Sequence, residues 1–187
     1  MKQNILPAIK MTFLLLLVFA VIYPAIIWVV AQAAPNKGKG ELATVNGKVV
    51  GYANEAQNFT ADNYFWSRPT AVGYNAAGSG GSNKGPNNPD YLQVVKDRLD
   101  TFLIHNPTVK KEQVPVELIT ASGSGLDPHV SPRGALVQAE RVAKARKIPV
   151  DNVKQLIERE TEKPLLGMFG PARVNVLQLN MELDKLK

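Results

Sequence analysis

The sequence predicts a small mixed α/β domain carried on one N-terminal membrane helix. Three observations lead there. Met11 to Ala34 is a run of 24 residues without a charge, rich in Leu, Val, Ile and Phe. Beyond it, stretches with a helical apolar period alternate with short β-prone runs. The chain of 187 residues contains no cysteine, so no disulfide framework or thiol chemistry is available to it.

At about 1.5 Å per residue, the charge-free run spans a hydrocarbon core of roughly 30 Å. A cleaved secretory signal is the rival reading, since Ala31-Gln32-Ala33 has the small-residue pattern of a cleavage site and Lys2 and Lys10 give a basic start. The run is about twice the usual length of a signal core, nearer roughly 10 residues, which favours an uncleaved anchor. Tyr23 and Trp28 suit an interface, and Pro24 predicts a kink rather than a break. Lys2 and Lys10 before the run nearly balance Lys37 and Lys39 after it, so flanking charge only weakly favours a cytoplasmic N-terminus. The organisation expected is a tail over 1–10, the membrane helix over 11–34, a linker over 35–40 and the soluble domain over 41–187.

Within that domain, LATVNGKVVGY predicts a β-hairpin turning at Asn46-Gly47. The consecutive aromatics Tyr64-Phe65-Trp66 cannot all face one side of an element, so at least one packs under a loop or meets a partner. Arg68 to Pro89 is dominated by Gly, Asn, Ser and Pro, and loops of about 20 residues are commonly functional or disordered. Leu92, Val95, Leu99, Phe102 and Leu103 define one face of a helix over 90–105, ended by Asn106-Pro107. Residues 114–121 predict a strand. Ser131-Pro132 starts a helix running to about Arg146, and Pro149-Val150-Asp151 starts another with Val153, Leu156 and Ile157 buried. Residues 173–179 predict a strand and 181–186 a short last helix.

Charge and motif excluded several functions. The net charge is +6, dispersed and without basic runs interleaved with aromatics, so nucleic-acid binding is not expected. Neither Ser122 nor Ser124 sits in a G-x-S-x-G elbow. Asp127-Pro128-His129 places a carboxylate near an imidazole, and a membrane-tethered hydrolase using Asp127 and His129 with Ser122 or Ser124 is the alternative reading. With two histidines and no cysteine, no metal-ligand spacing is present. The glycine-rich stretch Ser79 to Pro89 lacks a Walker pattern, because Lys84 is followed by Gly.

Three long segments resemble one family. YFWSRPTAVGYNAAGSGGSNKGPNNP, VPVELITASGSGLDPHVSPRGALVQAERVAKAR and RVNVLQLNMELD, in that order behind one membrane helix, closely resemble KdpC, the C subunit of the Kdp potassium-transporting ATPase complex of bacteria and archaea. The resemblance implies an accessory, non-catalytic subunit of a potassium-import complex in the cell membrane. Its partners would be a channel-like A subunit, an ATP-hydrolysing B subunit and a small F subunit, together with lipid. The P-type phosphorylation motif D-K-T-G is absent from this chain, in keeping with that role. Such a subunit aids assembly and acts as a catalytic chaperone that raises the ATP affinity of the B subunit, with its soluble domain outside the cytoplasm. No tightly bound cofactor is implied, only ATP through the complex.

By the same resemblance, Tyr64, Phe65, Ser67, Arg68, Pro69, Ser122, Gly123, Ser124, Gly125, Asp127, Pro128, His129, Gln138 and Arg141 are assigned to subunit docking. Ser79, Gly80, Gly81, Ser82, Asn83, Gly85 and Pro86 form a nucleotide or docking loop, similar over its first four residues to the signature loop of ABC transporters. Ala20, Ala25, Ala31 and Ala33 would be close-approach points for partner helices. The chain departs from the family at GYANEAQNF, where only Gln57 and Phe59 match, and at GPARVNV, where an acidic residue is lost before Arg173.

Overall fold

A computed structural model describes residues 4–186. The chain divides into two units, Met1–Leu42 and Ala43–Lys187.

The first unit is a helix, Ile5–Ala31, whose length and apolarity suffice to cross a membrane. It begins before the charge-free run, because Lys10 is as good a helix former as its neighbours. It comprises α1 (Ile5–Leu16), a π-helical turn (Leu17–Ile22) and α2 (Tyr23–Ala31). The π register lies directly before Pro24, and the Tyr23 N–H bonds to the Val18 carbonyl. Proline lacks an N–H and crowds the preceding turn. The wider turn accommodates it, so the helix continues through Pro24. The expected linker is a short turn, Pro35–Gly38, with Asn36, Lys37 and Gly38 all in the left-handed region. A Cβ on Gly38 would stand 2.8 Å from that of Ala31, so only glycine fits there.

The second unit opens with the hairpin β1 (Leu42–Val45) and β2 (Lys48–Tyr52). Asn46 and Gly47 both take positive φ, as a type I′ turn demands. Residues 53–88 then run almost without regular structure. α3 (Pro89–His105) starts where Asn88 accepts a hydrogen bond from the Tyr91 N–H. Leu99 and Phe102 are its buried positions, while Leu92 is exposed.

The strand expected over 114–121 does not form. Pro115 removes a donor, and the segment folds into a 3-10 turn at Val116–Leu118, just after another at Lys111–Gln113. The helix expected over 132–146 is two helices, α4 (Pro132–Leu136) and α5 (Ala139–Arg146). Ser131 caps the first, its hydroxyl accepting from the Gly134 N–H at 2.9 Å. α6 (Val150–Arg159) buries Val153, Leu156 and Ile157 as expected. The strand expected over 173–179 stops at Asn175, because the Asn175 side chain accepts from the Gln178 N–H and so starts α7 (Val176–Leu183).

β3 (His129–Val130), β4 (Thr161–Glu162) and β5 (Arg173–Asn175) form an antiparallel sheet in the order β3-β5-β4. His129 pairs with Asn175 and Thr161 with Val174. α4, α5 and α7 each pack on α6. Ala135, Ala139 and Ala143 are buried at four-residue spacing, which lets the helices approach closely. The core they enclose contains Phe65, Phe102, Val142, Leu156, Ile157, Val174 and Leu179.

Candidate functional site

Side-chain amides hold the aromatic segment in place of a strand ladder. Asn180 accepts from the Phe65 N–H at 2.8 Å and donates to the Phe65 carbonyl at 3.0 Å. Gln138 repeats this pattern one residue on, accepting from the Trp66 N–H at 2.8 Å and donating to its carbonyl at 3.4 Å. Phe65 is wholly buried, while Tyr64 and Trp66 are half-buried on either side of it. This resolves the alternation problem of three adjacent aromatics: the middle ring enters the core and the outer two pack beneath side chains.

Arg141 closes the same segment from α5. It donates to the carbonyls of Asp62 at 2.7 Å and Tyr64 at 3.0 Å, to Asn106 at 3.1 Å and to the Gln138 Oε1 at 2.8 Å. Its guanidinium lies 4.5 Å from the Trp66 ring centre. Burial lowers its pKa to about 10, against the nearby Asp62 charge that raises it, so it stays cationic at neutral pH. Arg146 acts likewise at Tyr64, donating to the Asn63 carbonyl at 2.6 Å and to Asp184 at 2.6 Å.

The two glycine-rich loops are locked to each other. The Gly80 N–H donates to the Ser124 carbonyl at 2.8 Å, and the Ser79 hydroxyl donates to the same oxygen at 2.9 Å. The Ser122 N–H donates to the Pro69 carbonyl at 3.1 Å. The loops touch so closely that side chains are excluded. A Cβ on Gly125 would stand 2.7 Å from the Gly80 carbonyl oxygen, and one on Gly81 would stand 3.0 Å from that of Gly123. Gly125 also has φ of +69°, a conformation glycine adopts freely. Ser79, Asn83, Gly85, Pro86, Gly123 and Ser124 are exposed along the resulting edge, with Gly80, Gly81 and Ser82 half-buried behind them.

Beside this edge lies an ion pair. Arg68 donates to Asp127 at 2.7 Å, and the other Asp127 oxygen accepts from the His129 N–H at 3.0 Å and lies 3.5 Å from the His129 Nδ1. The His129 side chain, then its backbone N–H and Arg68, hold the Asp127 carboxyl down at about 2 against the opposing effect of burial. Among the described residues the Arg68 Nε is buried without a partner. Arg68, Asp127, His129, Glu117 and Ser131, together with Leu165 and Phe169, line a cavity of about 700 Å³. Ser131 donates to Glu117 at 2.5 Å. A nucleophile–base pair is not assembled: the Ser124 hydroxyl accepts from the Leu126 N–H, Ser122 is buried, and among the described residues neither serine bonds to His129. Among the described residues no cluster of metal-ligating side chains occurs.

The assigned residues therefore fall into two groups. Phe65, Ser67, Ser122, Gln138 and Arg141 are interior and support the surface from beneath. Pro69 is half-buried and Pro128 buried; Tyr64, Arg68, Asp127 and His129 are half-buried, and the two loops supply the exposed edge. Asn180, Asn106 and Arg146 escaped sequence reasoning although they position the same segment. A signal did exist for Asn180: it lies among Val176, Leu179 and Leu183, where the helical period calls for an apolar side chain.

Comparison with known proteins places the chain. Residues 5–185 match the family model described as KdpC: K+-transporting ATPase, c chain. A potassium-transporting ATPase KdpC subunit of Flavobacterium psychrophilum is 57% identical over 185 residues, covering 99% of this chain and 100% of the relative. A namesake from Bacteroides fragilis strain YCH46 is 50% identical, covering 99% and 98%. One from Caldanaerobacter subterraneus is 40% identical, covering 98% and 95%. The three segments that carry the resemblance are also those that interlock as the aromatic clamp and the paired glycine loops, and the chain belongs to the KdpC family of potassium-transporting ATPase c chains.

Proposed function

We propose that this chain is a non-catalytic accessory subunit of an ATP-driven potassium importer, and that the paired glycine loops are its docking edge. Membership of the KdpC family supports the accessory role in potassium transport. The observation that carries the docking role is the lock between Gly80 and Ser124, which makes an exposed edge rigid before any partner arrives. A preorganised surface loses little entropy on association. The same hydrogen bond commits the Gly80 N–H internally, which favours docking over a phosphate cradle for the loop 79–86. The soluble domain lies outside the cytoplasm, the N-terminus inside. The partners are the channel-like A subunit, the ATP-hydrolysing B subunit and the small F subunit. By holding them in register the chain raises the ATP affinity of the B subunit without contacting ATP itself.

Gly123→Arg tests this reading, because a Cβ at Gly123 meets nothing within 4 Å and the fold is left intact. The expected result is an unchanged melting curve with loss of the other subunits from a pull-down of the C-terminally tagged chain, and loss of potassium-dependent ATPase. Full recovery of an active complex would remove the docking edge from these loops. Turnover of an ester by the isolated chain, abolished by His129→Ala, would instead favour the hydrolase alternative.

A further inference from the structure

Between Glu162 and Arg173 the chain makes a second tight excursion. Leu165 and Phe169 exchange both backbone hydrogen bonds, at 3.0 and 2.9 Å. The Met168 N–H also reaches the Leu165 carbonyl, and the Gly167 N–H that of Pro164. Leu165, Leu166, Met168 and Phe169 are 69%, 78%, 75% and 60% exposed. From Pro164 to Ala172 no residue is charged. The domain's other exposed apolar side chains, in the hairpin and at Leu92, Val94, Ile104, Val116 and Leu136, are mostly less exposed or stand singly. Contiguous apolar surface of this kind marks an interaction site.

Leu166 takes φ of +53°, which is unfavourable for a bulky L residue and natural for Asn or Gly. A turn selected only for its geometry would place one of those there. The leucine points to selection for the apolar side chain itself. The amides of Leu165, Gly167, Met168 and Phe169 bond within the tip, so most of its backbone donors need no outside partner at a partly dehydrated interface. Lys163 at its base is exposed, so its ammonium can reach lipid phosphate while its stem lies along the apolar tip.

The same chain supplies the reason to choose lipid as the occupant. The helix long enough to cross a membrane ends at Ala31, and the domain begins at Ala43. The intervening stretch, fully extended, reaches at most roughly 40 Å. A domain of this length has a radius of gyration of about 15 Å. The tether therefore confines the domain near the bilayer at high effective concentration. The face that settles on the bilayer is then selected by apolarity.

We propose that the tip 164–171 is a membrane-contacting loop, with Leu165, Leu166, Met168 and Phe169 entering the interfacial region of the adjacent leaflet. This depends on the membrane helix and not on the docking role of the glycine loops. The test uses the cysteine-free background of the full chain. Met168→Cys and, separately, Leu166→Cys are labelled with the fluorophore NBD. Each is reconstituted in phosphatidylcholine–phosphatidylglycerol vesicles, alone and within its complex. A doxyl-labelled lipid present in both leaflets serves as quencher, so orientation in the vesicle does not matter. Glu140→Cys, exposed at the start of α5, is the control. The expected result is blue-shifted emission from positions 166 and 168, quenched several-fold more strongly than from position 140, in both preparations. Quenching equal to the control overturns the proposal. So does shielding seen only with the other subunits present and insensitive to the lipid quencher, which would give the tip to a protein partner.

Discussion

Replacing Arg141 with Met removes one guanidinium from a site where its side chain is 3% exposed. Two of its acceptors keep another donor. Gln138 Oε1 still receives the Trp66 N–H, and the Ala61 carbonyl, which Arg141 also reaches at 3.4 Å, still receives the Trp66 indole. The Asp62 and Tyr64 carbonyls and the Asn106 Oδ1 lose theirs. A buried acceptor left open costs about 1–3 kcal/mol, less where water can enter, as it can near exposed Asp62. Three acceptors lose their donor at once, and the one charged neighbour, Asp62, is half exposed and keeps its water. The expected loss is therefore about 3–5 kcal/mol, or roughly 10–16 °C in Tm for a domain of this size. Trp66 reports it directly in a Trp28→Phe version of the full chain, by urea unfolding in mild detergent followed by fluorescence. Arg173→Met is the control. Arg173 pairs with Glu162 at 2.8 Å but is 54% exposed, so its loss is expected to stay below about 1 kcal/mol. If Arg141→Met also stays below about 1 kcal/mol, the guanidinium is not what holds the aromatic segment.

Three further outcomes follow from the geometry. Gly125→Ala forces the loops apart at a position where φ is positive, and the expected loss is about 1–3 kcal/mol by thermal melting, together with weaker recovery of partner subunits. Gln138→Leu leaves the Trp66 N–H and carbonyl without their amide partner, at about 2–4 kcal/mol in the same melt. The folded pKa of Asp127, about 2, lies below the ordinary value of 3.8, so its contribution is present above pH 4 and lost as pH falls through 2. Allowing for partial exposure, Asp127→Asn is expected to cost about 1–2 kcal/mol at pH 7, with the difference from the parent vanishing near pH 2. A difference that persists undiminished at pH 2 would show that the ionised carboxylate is not its source.

Periodicity made the helices legible, and turn chemistry the hairpin. Val153, Leu156 and Ile157 repeat on one face of α6, and Asn46-Gly47 allows few other conformations. The failures share a cause. Residues 114–121 and 173–179 have β-prone composition, but composition does not specify which donors will find acceptors. Pro115 and the capping amide of Asn175 decided those segments. The resemblance located the loops 79–86 and 122–129. It did not tell which side chains face out, since Gly80 and Ser124 meet across 44 positions of sequence.

In this domain the residue types that usually anchor interfaces are largely engaged inward. Arg68 pairs with Asp127, Arg141 and Arg146 bind backbone carbonyls, and Trp66 stacks edge-on against Phe102 and His105. A chain with so little sheet uses them to satisfy the irregular backbone of 53–75, which otherwise would leave buried groups unpaired. It follows that loss of the complex on changing Arg68 or Arg141 says nothing by itself about docking, because the fold changes first. A partner contact is identified only where complex formation falls and the melting curve stays put. On that criterion the informative positions are the exposed loop edge at Gly123 and Ser124 and the apolar tip at Leu166 and Met168, where a side chain can change without disturbing any buried hydrogen bond.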